Sequence, residues 1–481
     1  MTASLAQASP RHGFENDAGM AATSGLSAAE QAGRRLGVVE WLALALCIGA
    51  AAYQLHAIFA PGFMSFDSLL FYEEAIEGVT RSTWPPAYAY LIQVTRALGG
   101  DYGALFLAQT AMVFGFGGYL TMRLAAGSAV RRLLALVLFM AAFIAVPPLL
   151  GTMVVLWNAV PVAGFMLAGA ALQLASARGR RIGWALAAIL AYAACFALRY
   201  NSVFLIGPEM LLLLAFPLGA RSTAKHRIIV ATVALVAFAI ALVSFSHRLP
   251  DLKPLPFNAG VRTIQSFDLI GVSALCGESF LTPEMIAKGP VSLAAIRRHY
   301  DPRHLNVSLA DRPGVASIVK PGDADQVDAA WRRAVAAHPG CYLRHRWAVF
   351  TEQMGAAPGG LFYATHGGID PNRFGFVLAN PEQAQRAAVA ISQSANDPLR
   401  RPVWLYLGAV AAALWLALRR DARALPMGLL TLSALAYAGS HLFIAAAADA
   451  RYIFPSNVLC VVVIAAALGG RQALLTPAGR R

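Results

Sequence analysis

The stretch GVVEWLALALCIGAAAYQLHAIFA, residues 37–60, decides the fold. It carries a single acid, Glu40, and at about 1.5 Å of rise per residue a helix of this length crosses the roughly 30 Å hydrocarbon core of a bilayer. Arg34 and Arg35 precede it and Pro61-Gly62 follow it. Basic residues stay on the cytoplasmic side, so the N-terminus is expected inside. Working outward, similar apolar blocks fall at approximately 102–125, 129–150, 154–176, 182–199, 202–220, 228–246, 402–418, 426–446 and 452–469. The whole chain is 58% apolar and 13% charged, with mean hydropathy +0.57. A soluble domain carries about 25% charged residues, and that class is excluded. An all-α polytopic membrane protein of about ten transmembrane helices is expected instead. The net charge of +14 does not point to nucleic acid, because the arginines sit in short clusters between apolar blocks.

Those clusters test the count. Arg123 with Arg131 and Arg132, then Arg178, Arg180 and Arg181, then Arg221, Lys225 and Arg227, then Arg419, Arg420 and Arg423, and finally Arg471, Arg480 and Arg481 all fall on the side of Arg34 and Arg35 when ten spans are counted. Pro86–Leu98 is too short and, with Gln93 and Arg96, too polar to span. Counting it would move the Arg131–Arg132 cluster outside, so it reads as an amphipathic helix on the outer surface. The expected organisation is a disordered cytoplasmic tail (1–36), the first span (37–60), a first outer loop (61–101), spans two to seven (102–246), a large outer segment (247–401), spans eight to ten (402–470) and a cytoplasmic tail (471–481). This places the chain in the plasma, or inner, membrane with both termini cytoplasmic.

Chemistry is sought in the outer segments. The first loop reads FMSFDSLLFYEEA from Phe63 to Ala75, then Trp84-Pro85-Pro86-Ala87-Tyr88. Asp67 sits at the start of a helix, where an acid is favoured by the helix dipole. On local sequence alone Asp67 is a helix-start acid and Glu73, Glu74 and Glu77 form a solvated face.

An acid directly after the first span, an aromatic-rich helix and a Trp-Pro-Pro-x-Tyr turn into a juxtamembrane helix together resemble the first outer loop of GT-C membrane glycosyltransferases. The likeness is greatest to the branch that includes protein O-mannosyltransferases and the lipid A aminoarabinose transferase. Gln109, Leu156-Trp157-Asn158, Arg199-Tyr200-Asn201 and Asp449-Ala-Arg451-Tyr452-Ile-Phe-Pro455 resemble further family positions in the same order. The resemblance implies transfer of a sugar, hexosyl or pentosyl, from a polyprenyl-phosphate carrier to a glycan, lipid or protein acceptor of the cell envelope, with inversion. It makes Asp67 the catalytic base. Glu73, Trp84, Trp157, Arg199, Asn201, Arg451 and Tyr452 are the expected substrate-binding residues. No cofactor is expected: Asn158 stands where an acid would accompany Trp157, which leaves a divalent metal without support.

Such chemistry needs a carboxylate to take the acceptor proton and fixed positive charge for the departing phosphate. Arg199 and Arg451 lie at outer ends of spans and suit the second role; the bland alternative is snorkelling at a helix end. Glu209, an acid inside the sixth span, is a functional candidate by position. It either lines the carrier cavity or satisfies backbone groups freed by Pro208. His441, inside the ninth span, reads as a hydrogen-bonded packing residue.

The 247–401 segment has soluble composition. An amphipathic stretch, Asp325–Ala337, is followed by Cys341–Trp347, with Trp331 and Trp347 expected as interfacial anchors. Hydrolase, zinc and nucleotide motifs do not occur in it. His299, Asp301, His304 and His366 are too irregularly spaced for a metal site and read as a solvated loop. Cys276 and Cys341 are candidates for a disulfide if the segment lies in an oxidising compartment. Two rival functions stay open: a transporter or flippase of lipid-linked glycans, against which the lack of an internal repeat counts, and a polymerase or ligase acting on the same pool.

Overall fold

The computed structural model describes residues 36–79, 85–125, 127–179, 182–215, 258–281, 292–303, 324–359 and 361–469. Among them every regular element is helical, with two isolated β-bridges. Among the described residues five helical stretches are long and apolar enough to cross a membrane: α1 (Val38–Phe59), α4 (Tyr102–Leu124), α7 (Ala159–Gly179), α16 (Ala424–Ile444) and α17 (Phe454–Gly469) together with the 3-10 turn Ala450–Ile453 that leads into it. Between α1 and α4 lie α2 (Phe66–Glu77) and α3 (Ala87–Ala97), the latter being the amphipathic helix expected at Pro86–Leu98. The shorter apolar helices are α8 (Ile182–Leu198), α9 (Val203–Ala215) and α15 (Val403–Leu418). The expected block 228–246 and residue Trp84 lie outside the described residues.

The block expected at 129–150 is not one straight helix. It forms α5 (Ala129–Ala145) and α6 (Pro147–Met153), bent by 85°. Pro147 and Pro148 have no N–H to continue the ladder of α5 but are suited to opening a new helix. The next block is displaced too. Its first residues, Val154–Asn158, precede α7 and pair with the chain entering α2, with Phe63 N donating to Val154 O at 2.9 Å and Leu156 N to Phe63 O at 3.0 Å.

The outer segment contributes α10 (Asn258–Cys276), α11 (Leu293–His299), α12 (Ala324–Ala337), α13 (Pro339–Gln353) and α14 (Pro381–Ser394). The disulfide Cys276–Cys341 joins α10 to α13 across a Cα separation of 6.0 Å. Beside it the carboxylate of Asp268 is wholly buried against Arg346 Nε at 2.6 Å and accepts from Trp331 Nε1 at 2.7 Å. A buried carboxylate needs such donors. The half-buried Trp331 thus turns its indole N–H into this lobe, whereas Trp347 is 59% exposed. The lobe is fastened to the end of α16, where Arg346 Nη1 donates to Ala445 O at 2.6 Å, Ala448 N to Arg303 O at 2.7 Å and Gln353 Nε2 to Asp449 O at 3.2 Å.

Chain direction alternates through the bundle. The C-terminal ends of α1, α8 and α16 and the N-terminal ends of α7 and α17 meet at one end. At the other, Arg132 is ion-paired with Glu40, and Gly469 abuts Ala135 so closely that a Cβ would lie 2.6 Å from it.

Candidate active site

The chain between α1 and α2 is held on both sides. Besides its bonds to Val154 and Leu156, Met64 N donates to Gly368 O and Asp370 N to Met64 O, each at 2.9 Å. Gly62, at φ +111°, takes a conformation that a side chain would strain. The following Ser65 stands at the N-cap of α2 but makes no side-chain cap bond. Its Oγ instead accepts from Trp157 Nε1 at 2.8 Å. Asp67 is therefore presented in the first turn of α2 from a segment laced into two others.

Its partner comes from the other end of the sequence. Arg451 Nη1 lies 2.7 Å from Asp67 Oδ2, and Arg451 Nε lies 2.7 Å from Asp449 Oδ2. Asp449 also accepts from the Arg451 N–H at 3.1 Å, so it anchors the guanidinium from its own turn. The guanidinium lies 4.5 Å above the Trp157 ring and 5.3 Å from that of Tyr452; Arg199 stacks on Tyr452 at 4.9 Å. These are cation–π distances. On the remaining side His441 stacks on Tyr452 at 6.1 Å and meets Asn201 Nδ2 through Nε2 at 3.1 Å. Two carboxylates and two guanidinium groups thus share one aromatic-floored cleft. The side chains of Asp67 and Arg451 keep 29% and 14% exposure, while Arg199, Trp157 and Asp449 are buried.

The structure brings together Asp67, Trp157, Arg199, Asn201, Arg451 and Tyr452, segments expected to converge from their order in the sequence. Gln109 and Asn158 support them, donating to Val155 O at 3.4 Å and to Leu198 O at 3.3 Å. Two candidates lie elsewhere. Glu73 faces outward and pairs with Arg373 at 3.0 Å, which also holds Glu77; Glu74 is buried, so these three acids do not form a uniformly solvated face. Glu209 accepts from Gln173 Nε2 at 2.8 Å, and Gln173 Oε1 accepts from Tyr192 at 2.8 Å. That network holds Oε2 from α7 and α8, while among the described residues Oε1 is buried without a hydrogen-bond partner. His441 is the packing residue expected of it, with Nδ1 2.9 Å from Tyr437 O.

Sequence reasoning missed the loop that closes the cleft. Tyr363, at φ 52°, packs its ring 5.9 Å from Trp157. Burial pushes its phenol up to about 12, and its Oη lies 2.7 Å from His366 Nδ1. His366 Nε2 lies 3.3 Å from Asp370 Oδ1. His366 is consequently not a residue of a solvated loop. The loop is pressed onto α6, where a Cβ on Gly151 would come within 2.2 Å of Ala364 O. Gly367-Gly368 and Asp370-Pro371 marked a turn there, but nothing local tied it to Trp157. Among the described residues no three His, Cys, Asp or Glu side chains converge in a way that would hold a metal ion.

These features define an all-α polytopic membrane protein with a charged, aromatic cleft at one end of its bundle. No protein-family model matches the chain, and no curated protein matches it. Two solved structures are similar to it. The arabinosyltransferase EmbB from Mycobacterium smegmatis aligns over 91% of this chain and 42% of its own, at 13% identity and TM-score 0.34. ArnT from Cupriavidus metallidurans, bound to undecaprenyl phosphate, aligns over 89% of this chain and 78% of its own, at 15% identity and TM-score 0.33. The chain thus spans less than half the length of the first.

Proposed function

We propose that the chain is a GT-C-type integral membrane glycosyltransferase. It takes a sugar from a polyprenyl-phosphate carrier and passes it, with inversion, to a cell-envelope acceptor at the outer face of the membrane. The observation that carries this reading is the contact of Asp67 with Arg451 on the face of Trp157: a carboxylate and a cation suited to phosphate, side by side in a partly open cleft. In the reaction the acceptor oxygen bonds to the anomeric carbon while its proton passes to the Asp67 carboxylate. The anomeric carbon–oxygen bond to phosphate breaks, and its electron pair leaves on the carrier phosphate. Asp67 thus acts as general base; Arg451 and Arg199 supply fixed positive charge for the phosphate as its charge grows. Trp157 and Tyr452 hold those guanidinium groups in place before the reaction, so little reorganisation is required.

The test is an assay of purified protein in proteoliposomes against polyprenyl-phosphate hexoses and pentoses. Loss of carrier-linked sugar with release of polyprenyl phosphate is expected. Movement of an intact donor across the bilayer without that release would instead establish the transporter reading.

A further inference from the structure

Arg451 has more than one claim on it. Its Nε is ion-paired with Asp449, whose carboxylate also accepts from the Arg451 backbone N–H, whereas its Nη1 is given to Asp67, the group that must be available to the acceptor hydroxyl. An anchored Nε edge with a partly exposed Nη edge is the arrangement in which a guanidinium can change partners without moving. We infer that Arg451 is exchanged between Asp67 and the donor phosphate. Without donor the guanidinium occupies the base; when the carrier phosphate is seated on the Nη edge, Asp67 is released toward the acceptor, and Asp449 holds the arginine throughout. The inference rests on the glycosyltransferase reading and adds an order to it, carrier before acceptor.

Three observations support it. Asp67 meets Arg451 through Oδ2, and among the described residues Oδ1 has no partner, so a single contact holds the base. The pair is partly exposed at 29% and 14%, open to an entering anion. Asp449 is 4% exposed, its backbone carbonyl is tied to Gln353 and its carboxylate is bound twice within the turn, which makes it the fixed member. Asp449 is thus a positioning residue that acts through Arg451.

The consequence is contrary to what a simple base would give. Asp67 competes with the carrier phosphate, so removing its charge should tighten carrier binding while transfer is lost. Binding of sugar-free polyprenyl monophosphate to the full-length protein in nanodiscs, followed by thermophoresis, reads this directly. Asp67→Asn is expected to bind about two- to fivefold more tightly than wild type, the range of a partly exposed ion pair. Asp67→Ser gives the same direction should the asparagine variant fold poorly. Glu77→Gln removes an equal charge from the same helix without touching Arg451 and is expected to leave the affinity unchanged; Arg451→Ala is expected to weaken it. Unchanged or weaker binding by Asp67→Asn, or equal tightening by Glu77→Gln, overturns the exchange even if wild type binds and transfers normally. Failure of wild type to bind any polyprenyl phosphate overturns the glycosyltransferase reading itself, and the exchange with it.

Discussion

The indole N–H of Trp157 is bonded to the hydroxyl of Ser65 at 2.8 Å across 92 residues of sequence. Ser65 precedes Asp67 by two residues, and the face of the same indole carries Arg451. One side chain therefore sets the separation of the proposed base and the proposed phosphate ligand. Val154–Asn158 lie outside any helix because the helix that the two prolines open, α6, ends at Met153 and α7 does not start until Ala159.

Replacing Trp157 by phenylalanine keeps an aromatic face and removes the donor. The loss of one buried hydrogen bond costs about 1 kcal/mol, while Trp157→Ala adds a cavity and brings the loss to about 3–5 kcal/mol. Thermal unfolding in nanodiscs should rank wild type, Phe and Ala in that order, with turnover falling in the same sequence. A phenylalanine variant equal to wild type in both measurements would mean that the indole N–H positions nothing.

The Cys276–Cys341 bridge closes a loop with a sequence separation of 65. In the chain-entropy account a closure of this length is worth about 4 kcal/mol. Cys276→Ser with Cys341→Ser should lower the unfolding temperature. Because the lobe is bonded to the 445–449 turn beside Arg451, transfer should fall as well. Peptide maps with and without reductant test the bridge itself: two free thiols in freshly isolated protein would remove it.

Burial lowers the pKa of His366, against the opposing pull of Asp370. A histidine depressed in the folded state is charged more readily in the unfolded chain, so its contribution is complete above the ordinary value of about 6.5 and declines as pH falls below it. Thermal stability is expected to drop on acidification from pH 7 to 5, and His366→Asn should flatten that drop relative to wild type. Parallel pH profiles of the two proteins would exclude His366 as a contributor.

Much of this was legible because membrane insertion leaves a strong imprint. Apolar blocks located the helices, and Arg199 and Arg451, read at the ends of apolar blocks, do meet at the cluster that holds Asp67. The helix at Ala87–Ala97 followed from the arginine clusters. What escaped depended on contacts remote in sequence. Pro147 and Pro148 are apolar, so the bend they cause was invisible to hydropathy. Trp331 reads as an interfacial anchor until Asp268, 63 positions away, is known to need its N–H. The Tyr363–His366–Asp370 chain has no local signature, since its partner Trp157 lies in another segment altogether.

The proposed sidedness has its own check. Glu382, on α14, has an 89% exposed side chain, and Arg419 lies in the turn after α15. In intact cells a membrane-impermeant maleimide should label Glu382→Cys directly and Arg419→Cys only after lysis. The reverse pattern would invert the bundle and place the cleft on the cytoplasmic side.

Asp67 is the sharpest point of the proposal. Asp67→Asn keeps the shape of the side chain and one oxygen for Arg451 while removing the proton acceptor. The protein should express and fold as wild type does, because the charged partner is partly exposed and remains paired with Asp449. Turnover should fall by roughly the 10²- to 10⁴-fold associated with loss of general base catalysis. Glu73→Gln affects only an outward contact with Arg373 and should cost far less, and Glu74→Gln, although buried, should express itself as lost stability more than as lost turnover. Steady-state transfer by the three variants, each corrected for the folded fraction, separates these outcomes. Near-normal transfer by Asp67→Asn with an inactive glutamate variant would assign the base to that glutamate and leave Asp67 as the first-turn acid of α2 and a partner of Arg451.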